Sequence, residues 1–435
     1  MDAMVAGLTV LVLILLFLGS GIWVFVGLLL VSTTGLSLVL DFPPHRIGVI
    51  LGKILFRSAS SWELAAIPLF IWMGEIIFRT NISARLFQGL APFVSRIPGG
   101  LIHTNVAGST LFAAVSGSSA ATTATVGKIT TVELKARGYD DALSLGSLAG
   151  AGSLGLLIPP SIVMIIYGVL AEVSITRLFA AGVLPGLLVG GLYSTYILLR
   201  CALNPALQPA NDADALLSKR RAILDLMPVL LLVTLVLGAI YSGLATPSEA
   251  AAVGVFGTLI LATVLRQMSW ALLRDSLLGA VRSSAMVCSI LVAAAFLSTA
   301  MGYMHVPQDV ARLIASTDIG PYGLIALLAV FYIVLGLFLD GISIVVMSLP
   351  ITLPPVLAMG FDPIWFGVFL VLMVELGQMT PPVGFNLFVI QGLTGVPISR
   401  VARAAFPFFM LMAFGVTLIT IWPQIALWLP AALFG

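Results

Sequence analysis

The chain has 435 residues, of which 60% are hydrophobic and only 9% charged, with a formal net charge of +2. A soluble domain carries about 25% charged residues, so this composition excludes a water-soluble fold and implies one integral membrane domain with the lipid bilayer as its surroundings and no extramembrane enzyme module. The small net charge, spread over many loops, supplies no basic patch for phosphates, which excludes nucleic acid as a partner.

Met1-Asp2-Ala3-Met4 places no positive charge ahead of its apolar run, so the first segment reads as a retained helix and not as a cleaved signal peptide. Apolar runs bounded by Pro, Gly or charge predict spans at residues 4–18, 20–40, 60–79, 141–171, 176–200, 224–242, 249–266, 283–303, 363–392 and 404–430. Amphipathic stretches near 46–57, 82–95, 268–281 and 306–317 read as helices lying in the interface. Two further hydrophobic stretches, 99–137 and 320–361, carry Ser116-Gly117-Ser118-Ser119 and Asp340-Gly341-Ile342-Ser343 at their midpoints. Both are predicted as helical hairpins that enter and leave on one side. Thr246-Pro247-Ser248-Glu249 has the residues of a capped helix start.

Lys and Arg concentrate on cytoplasmic loops. With Arg200, Lys219, Arg220 and Arg221 inside, counting spans also puts Arg266, Arg274, Arg282, Arg400 and Arg403 inside, together with Arg96, Lys128, Lys135 and Arg137 around the first hairpin. Asp318 and Asp362, flanking the second hairpin, fall outside. The two hairpins therefore open to opposite faces. Arg46, Lys53 and Arg57 fall outside as well, an exception to the charge rule.

An internal repeat accompanies this inversion. Leu154-Gly155-x-x-x-Pro159-Pro160 recurs at an offset of 222 as Leu376-Gly377-x-x-x-Pro381-Pro382, the same offset carries Pro185 onto Pro407, and Ser116-Gly117-x-Ser119 overlies Asp340-Gly341-x-Ser343 at an offset of 224. A Pro-Pro pair inside a span is tolerated only where protein or a watery cavity surrounds it. Paired interruptions at corresponding positions of two halves point to a transporter site, because freed carbonyls and helix ends can hold ions. Na⁺, a hard cation, takes oxygen ligands. The candidate Na⁺ ligands, for two or more sites, are Ser116, Gly117, Ser118, Thr122, Gly155, Pro159, Gly341, Ser343, Gly377, Thr380 and Pro381, with Thr123 also at the first tip. The candidate substrate contacts are Ser119, Ser161, Asp340, Gln378 and Asn386.

Ionisable groups inside spans are functional by default. Asp340, at a hairpin tip, reads as an ion or substrate ligand, with helix capping as its alternative; Glu375 reads equally as functional or as paired with a Ser or an amide. Glu75 reads as snorkelling or pairing with Arg79. Cys201 and Cys288 read as packing residues, His45, His103 and His305 lack metal-ligand spacing, and no Walker A, HExxH or GxSxG pattern occurs, which excludes ATP hydrolysis and argues against an enzyme. Trp23, Trp62, Trp72, Trp270, Trp365, Trp422 and Trp428 lie near predicted span ends and read as interfacial anchors, not stacking platforms.

Ser116-Gly117-Ser118-Ser119-Ala120-Ala121-Thr122-Thr123, Leu157-Ile158-Pro159-Pro160-Ser161, Ala245-Thr246-Pro247-Ser248-Glu249-Ala250-Ala251-Ala252 and Thr380-Pro381-Pro382-Val383-Gly384 together resemble the large membrane subunit of tripartite ATP-independent periplasmic (TRAP) transporters over essentially the whole chain. The resemblance implies an all-α polytopic, inverted-repeat, elevator-type transporter with two helical hairpins and two Pro-Pro-broken helices, multi-pass in a bacterial inner membrane and driven by Na⁺. It implies a separate small four-helix membrane subunit and a periplasmic substrate-binding protein as partners, and an organic carboxylate as substrate. Family roles in Na⁺ and substrate binding carry onto Ser116, Gly117, Ser119, Ser161, Asp340, Gly341, Thr380 and Pro381. The expected organisation is 1–95 scaffold and interfacial arms, 96–175 transport unit of the first half, 176–319 scaffold, cytoplasmic loop and arms, 320–398 transport unit of the second half, and 399–435 a C-terminal helix. A stand-alone Na⁺/dicarboxylate symporter is the alternative.

Overall fold

The computed structural model describes residues 9–10, 12–14, 16–17, 19–209, 218–316, 319–382 and 384–435. Residues 4–8, 11, 15 and 18 of the predicted first span, together with Asp318 and Val383, lie outside the described residues. Among the described residues the chain is helical, with no strand. Among these described residues six helices are long and apolar enough to cross a membrane, or seven if one bent pair forms a single span, which fits a multi-pass membrane protein.

After the described part of the first segment come α1 (Val24–Leu40), α2 (Pro44–Ala59), a 3-10 turn at Trp62–Ala65, α3 (Ala66–Phe78) and α4 (Ile82–Val94). The first predicted hairpin is α5 (His103–Ser116) and α6 (Ser119–Ala136). Gly117 makes the turn at φ 58, a left-handed conformation that glycine adopts without a side-chain clash, and the Ser118 hydroxyl accepts from Ala121 N to start α6. The predicted span 141–171 is broken as expected, into α7 (Asp141–Gly152), a 3-10 turn at Ser153–Leu156 and α8 (Ile162–Leu170). Next come α9 (Ile175–Leu203), α10 (Lys219–Tyr241) and α11 (Pro247–Val264), the last opened by a capping box between Thr246 and Glu249.

The second half runs α12 (Trp270–Tyr303), α13 (Val306–Ala315), the hairpin α14 (Pro321–Gly336) and α15 (Gly341–Ala358), the broken pair α16 (Pro363–Gln378) and α17 (Phe385–Thr394), then α18 (Ile398–Ile421) and α19 (Gln424–Phe434). The Pro159–Pro160 and Pro381–Pro382 bonds are both cis.

Three expectations are corrected. The predicted interfacial helix 268–281 and span 283–303 form one 34-residue rod, α12, because no proline or left-handed residue interrupts the ladder there. Its counterpart in the first half does break: Ser61 takes extended backbone (φ −66, ψ 124), and α2 meets the following helix at 54°. The predicted span 404–430 is two helices, since Trp422, restricted by the proline after it, leaves helical backbone (φ −120, ψ 78). Trp365 is no interfacial anchor: it is 1% exposed, donates to Ile419 O at 2.9 Å, and stacks between Phe361 and Phe369. Glu75 pairs with Arg79 at 2.9 Å, as predicted.

Each hairpin leans on its broken partner through glycine. A Cβ on Gly155 would lie 2.6 Å from Ser119 Cα, and one on Gly377 would lie 2.7 Å from Gly336 Cα. Backbone cannot yield as a flexible side chain can. Gly377→Val is therefore expected to lower stability by about 2 kcal/mol or more, read as a depressed Tm of the detergent-solubilised protein; an unchanged Tm would show that this contact is not close.

Candidate functional site

The breaks expose backbone groups that a continuous helix would satisfy, and in a membrane each must find a partner. At the first break Ile162 N donates to Gly117 O of the hairpin turn at 3.4 Å, while Leu156 N donates to Glu375 Oε1 at 3.0 Å. Glu375 comes from α16, in the other half of the chain. A buried carboxylate is costly unless several donors reach it, and this fully buried side chain takes a second bond from the Ser119 hydroxyl to Oε2 at 3.1 Å. Asn386, buried at the start of α17, donates Nδ2 to Ser119 Oγ at 2.8 Å. Ser119 thus links one hairpin tip to both flanks of the opposite break, and Gly152 O lies 3.0 Å from the same hydroxyl.

The second tip is built on Asp340, the N-cap of α15. Its carboxylate accepts from Ile342 N at 3.1 Å, Ser343 N at 3.3 Å and the Ser343 hydroxyl. The capping role weighed for Asp340 is present, and the side chain also faces a cavity. That cavity, of about 910 Å³, is lined on one side by both tips and the breaks, including Ser118, Ser119, Leu156, Asp340 and Gln378. Its other wall is α1 and α12, with Trp23, Arg282 and Met286. Trp23, exposed at the start of α1, also lines that wall. A Cβ on Gly341 would lie 2.9 Å from Gln378 Nε2, so that amide packs on the second tip.

Gly341 and Ser343 line the cavity as well, whereas Ser116, Thr122, Thr123 and Ser161 are buried behind it and Pro381 is exposed. Ser116 Oγ and Thr122 Oγ1 are 2.8 Å apart beneath the first tip. Ser161 is buried and caps α8 by accepting from Met164 N. Thr380 turns inward, donating to Leu376 O at 2.7 Å. The Thr123 hydroxyl is fully buried without a hydrogen-bond partner among the described residues. Pro159 and Pro381 supply the two bends. Among the described residues no group of His, Cys, Asp and Glu has the makings of a transition-metal site, and His103 is engaged with Pro98 O at 2.9 Å.

Sequence reasoning placed Glu375 and Asn386 singly and could not join them to Ser119, which lies in the other half of the chain. It missed Arg282 and Met286 as cavity walls, because the predicted boundary between arm and span fell between positions 281 and 283.

The family model for the tripartite ATP-independent periplasmic transporter DctM component matches residues 9–425. The chain is 34% identical over 400 residues to the C4-dicarboxylate TRAP transporter large permease protein DctM of Pseudomonas aeruginosa, covering 91% of this chain and 92% of that one. It is 34% identical over 372 residues to the ectoine/5-hydroxyectoine TRAP transporter large permease protein UehC of Ruegeria pomeroyi, covering 84% and 86% of the two chains. The crystal structure of the YdaH transporter of Alcanivorax borkumensis superposes with a TM-score of 0.64 at 15% identity over 86% of this chain and 87% of that one, a likeness of fold alone.

Removing one partner of a buried hydrogen bond strands the other at a cost of about 1–3 kcal/mol. Glu375→Ala strands the Leu156 N–H, while the Ser119 hydroxyl keeps Gly152 O as an acceptor; it is expected to depress Tm more than Ser119→Ala, with Glu375→Gln between them. Equal Tm values for all three variants and the parent would remove the network from the stability of the fold.

Proposed function

The chain belongs to the DctM component family of tripartite ATP-independent periplasmic (TRAP) transporters, and from that premise we propose that it is the large permease subunit of a Na⁺-coupled secondary transporter that imports an organic anion. The observation that carries this reading is the Ser119–Glu375–Leu156 link, which joins the first hairpin tip to both broken spans beside a cavity that the second tip also lines. Residues 96–175 and 320–398, two inverted halves, would form the transport unit and move as an elevator against the remaining helices. The relatives are named for C4-dicarboxylates and for ectoine, compounds that carry a carboxylate, and the same class of substrate is proposed here.

Na⁺ would sit at the tip-to-break junctions. Ser116 and Thr122, the buried and unpartnered Thr123 hydroxyl, and the carbonyls freed around Gly155, Pro159, Gly377 and Pro381 supply neutral oxygens there; Gly341, Ser343 and Thr380 complete the second junction. Bound Na⁺ and the helix starts at Ser119 and Gly341 would then offset the negative charge of the substrate. Ser119, Asp340, Gln378 and Asn386 are the proposed substrate-side residues, with Ser161 supporting them from behind. A small four-helix membrane subunit and a periplasmic binding protein would be the partners, and the bacterial inner membrane the site of action.

Uptake into proteoliposomes holding the assembled complex is expected to need both a Na⁺ gradient and the binding protein. Asp340→Asn is expected to lower that uptake at least tenfold while the complex still assembles. Uptake on a proton gradient alone would overturn Na⁺ coupling, and Na⁺-driven uptake without the binding protein would favour a stand-alone symporter.

A further inference from the structure

Arg282 is exposed and lines the cavity beneath the hairpin tips. It lies about 18 Å along the α12 rod from its start, not at a loop as its sequence position suggested. Among the described residues no carboxylate pairs with it and its guanidinium makes no hydrogen bond. The carboxylates near it are committed elsewhere. Glu75, which packs on α12 at Gly279, is held by Arg79, and Asp340 across the cavity is held by the start of α15.

Two adjoining spaces continue the cleft around and along α12. A second space of about 470 Å³ shares Phe25 and Ser289 with the first, and a third of about 560 Å³ shares Ser61 and Leu64 with the second. The third reaches Thr299, which lies beyond Arg282 on the same rod by about 26 Å at 1.5 Å per residue. The cleft therefore runs nearly the roughly 30 Å of a bilayer core. Its far end holds Arg57, the repeat counterpart of Arg282: the two stand at an offset of 225, as do Phe78 and Tyr303, the ends of their helices. Among the described residues Arg57 makes no ion pair either, and the likeness stops at its surroundings, because it shares its cavity with two carboxylates, Glu63 and Glu172. Arg282 thus shares its end of the cleft with one carboxylate, Asp340, and Arg57 shares the other end with two.

We propose that Arg282 is the counter-ion for the carboxylate of the transported anion, holding it at the hairpin-tip end of the cleft, and that Arg57, matched by its two acidic neighbours, is not. This rests on the organic-anion transport reading above. An arginine suits the task, since its guanidinium presents a planar fork to a carboxylate and stays charged at any working pH.

The test uses the assembled transporter in proteoliposomes and whichever labelled carboxylate the wild type carries from a panel of C4-dicarboxylates, keto acids and sugar acids. Arg282→Gln is expected to raise KM at least tenfold for substrate presented from the hairpin-tip end, the cytoplasmic face by the Lys/Arg distribution, with Vmax and the Na⁺ dependence within twofold. Arg282→Lys is expected to recover part of the affinity, since it keeps the charge but not the fork, and Arg57→Gln to change KM less than threefold. An Arg282 that only marks topology would lower the amount of assembled protein and leave KM unchanged, which overturns the proposal; equal KM effects at Arg57 and Arg282 overturn it too. Should Arg282→Gln not assemble, the Arg282→Lys variant and an Arg282→Cys variant treated with cationic or anionic thiol reagents decide it, since only the cationic adduct should restore affinity. A wild type that carries no carboxylate in either direction overturns the transport reading itself, and this inference with it.

Discussion

A backbone amide freed inside a membrane has no water to turn to, and the rest of this molecule is arranged around that fact. Just before the Pro159–Pro160 break, Leu156 N–H donates to Glu375 of the opposite half. That carboxylate is itself tolerable only because donors converge on it, so the break and the acid depend on each other. Ser119 adds the hairpin tip to the same bond set, and Asn386 adds the second broken span. Glycines then let the backbones close to contact distance, Gly155 on Ser119 and Gly336 on Gly377. Four interruptions of regular structure become one polar surface because each would be too costly alone.

The two halves repeat in backbone plan but not in charge. The repeat carries Glu375 onto Ser153, whose hydroxyl returns to Gly150 O, and the first tip offers hydroxyls where the second carries Asp340. Both buried or tip carboxylates thus belong to the second half. The arms differ as well: α2 and α3 bend at Ser60 and Ser61, whereas α12 runs unbroken. An unbroken α12 carries Arg282 into the protein beside the hairpin tips, while the bent elbow leaves Arg57 at the opposite end of the cleft among acids. A repeat that were perfect would hold the same charges at both ends, and an anion would meet no difference between them.

What the amino-acid order determined by itself was the inventory: apolar runs long enough to cross, two hydroxyl-rich or acidic tips, and two proline pairs in register. Those signals are local, since hydropathy, the missing proline N–H and glycine's left-handed turn act over short stretches of chain, and the helices, the hairpin turns and the breaks followed them. The Thr246 capping box and the Glu75–Arg79 pair were legible for the same reason. Tertiary structure decided which residues meet. Ser119 joins Glu375 and Asn386 across sequence separations of 256 and 267, Trp365 leaves the interface for an aromatic stack, and Arg282 turns from a loop marker into a cavity wall. No period or motif encodes such meetings, because they depend on how packed helices bring distant faces together and on where an uninterrupted hydrogen-bond ladder lets a helix run on.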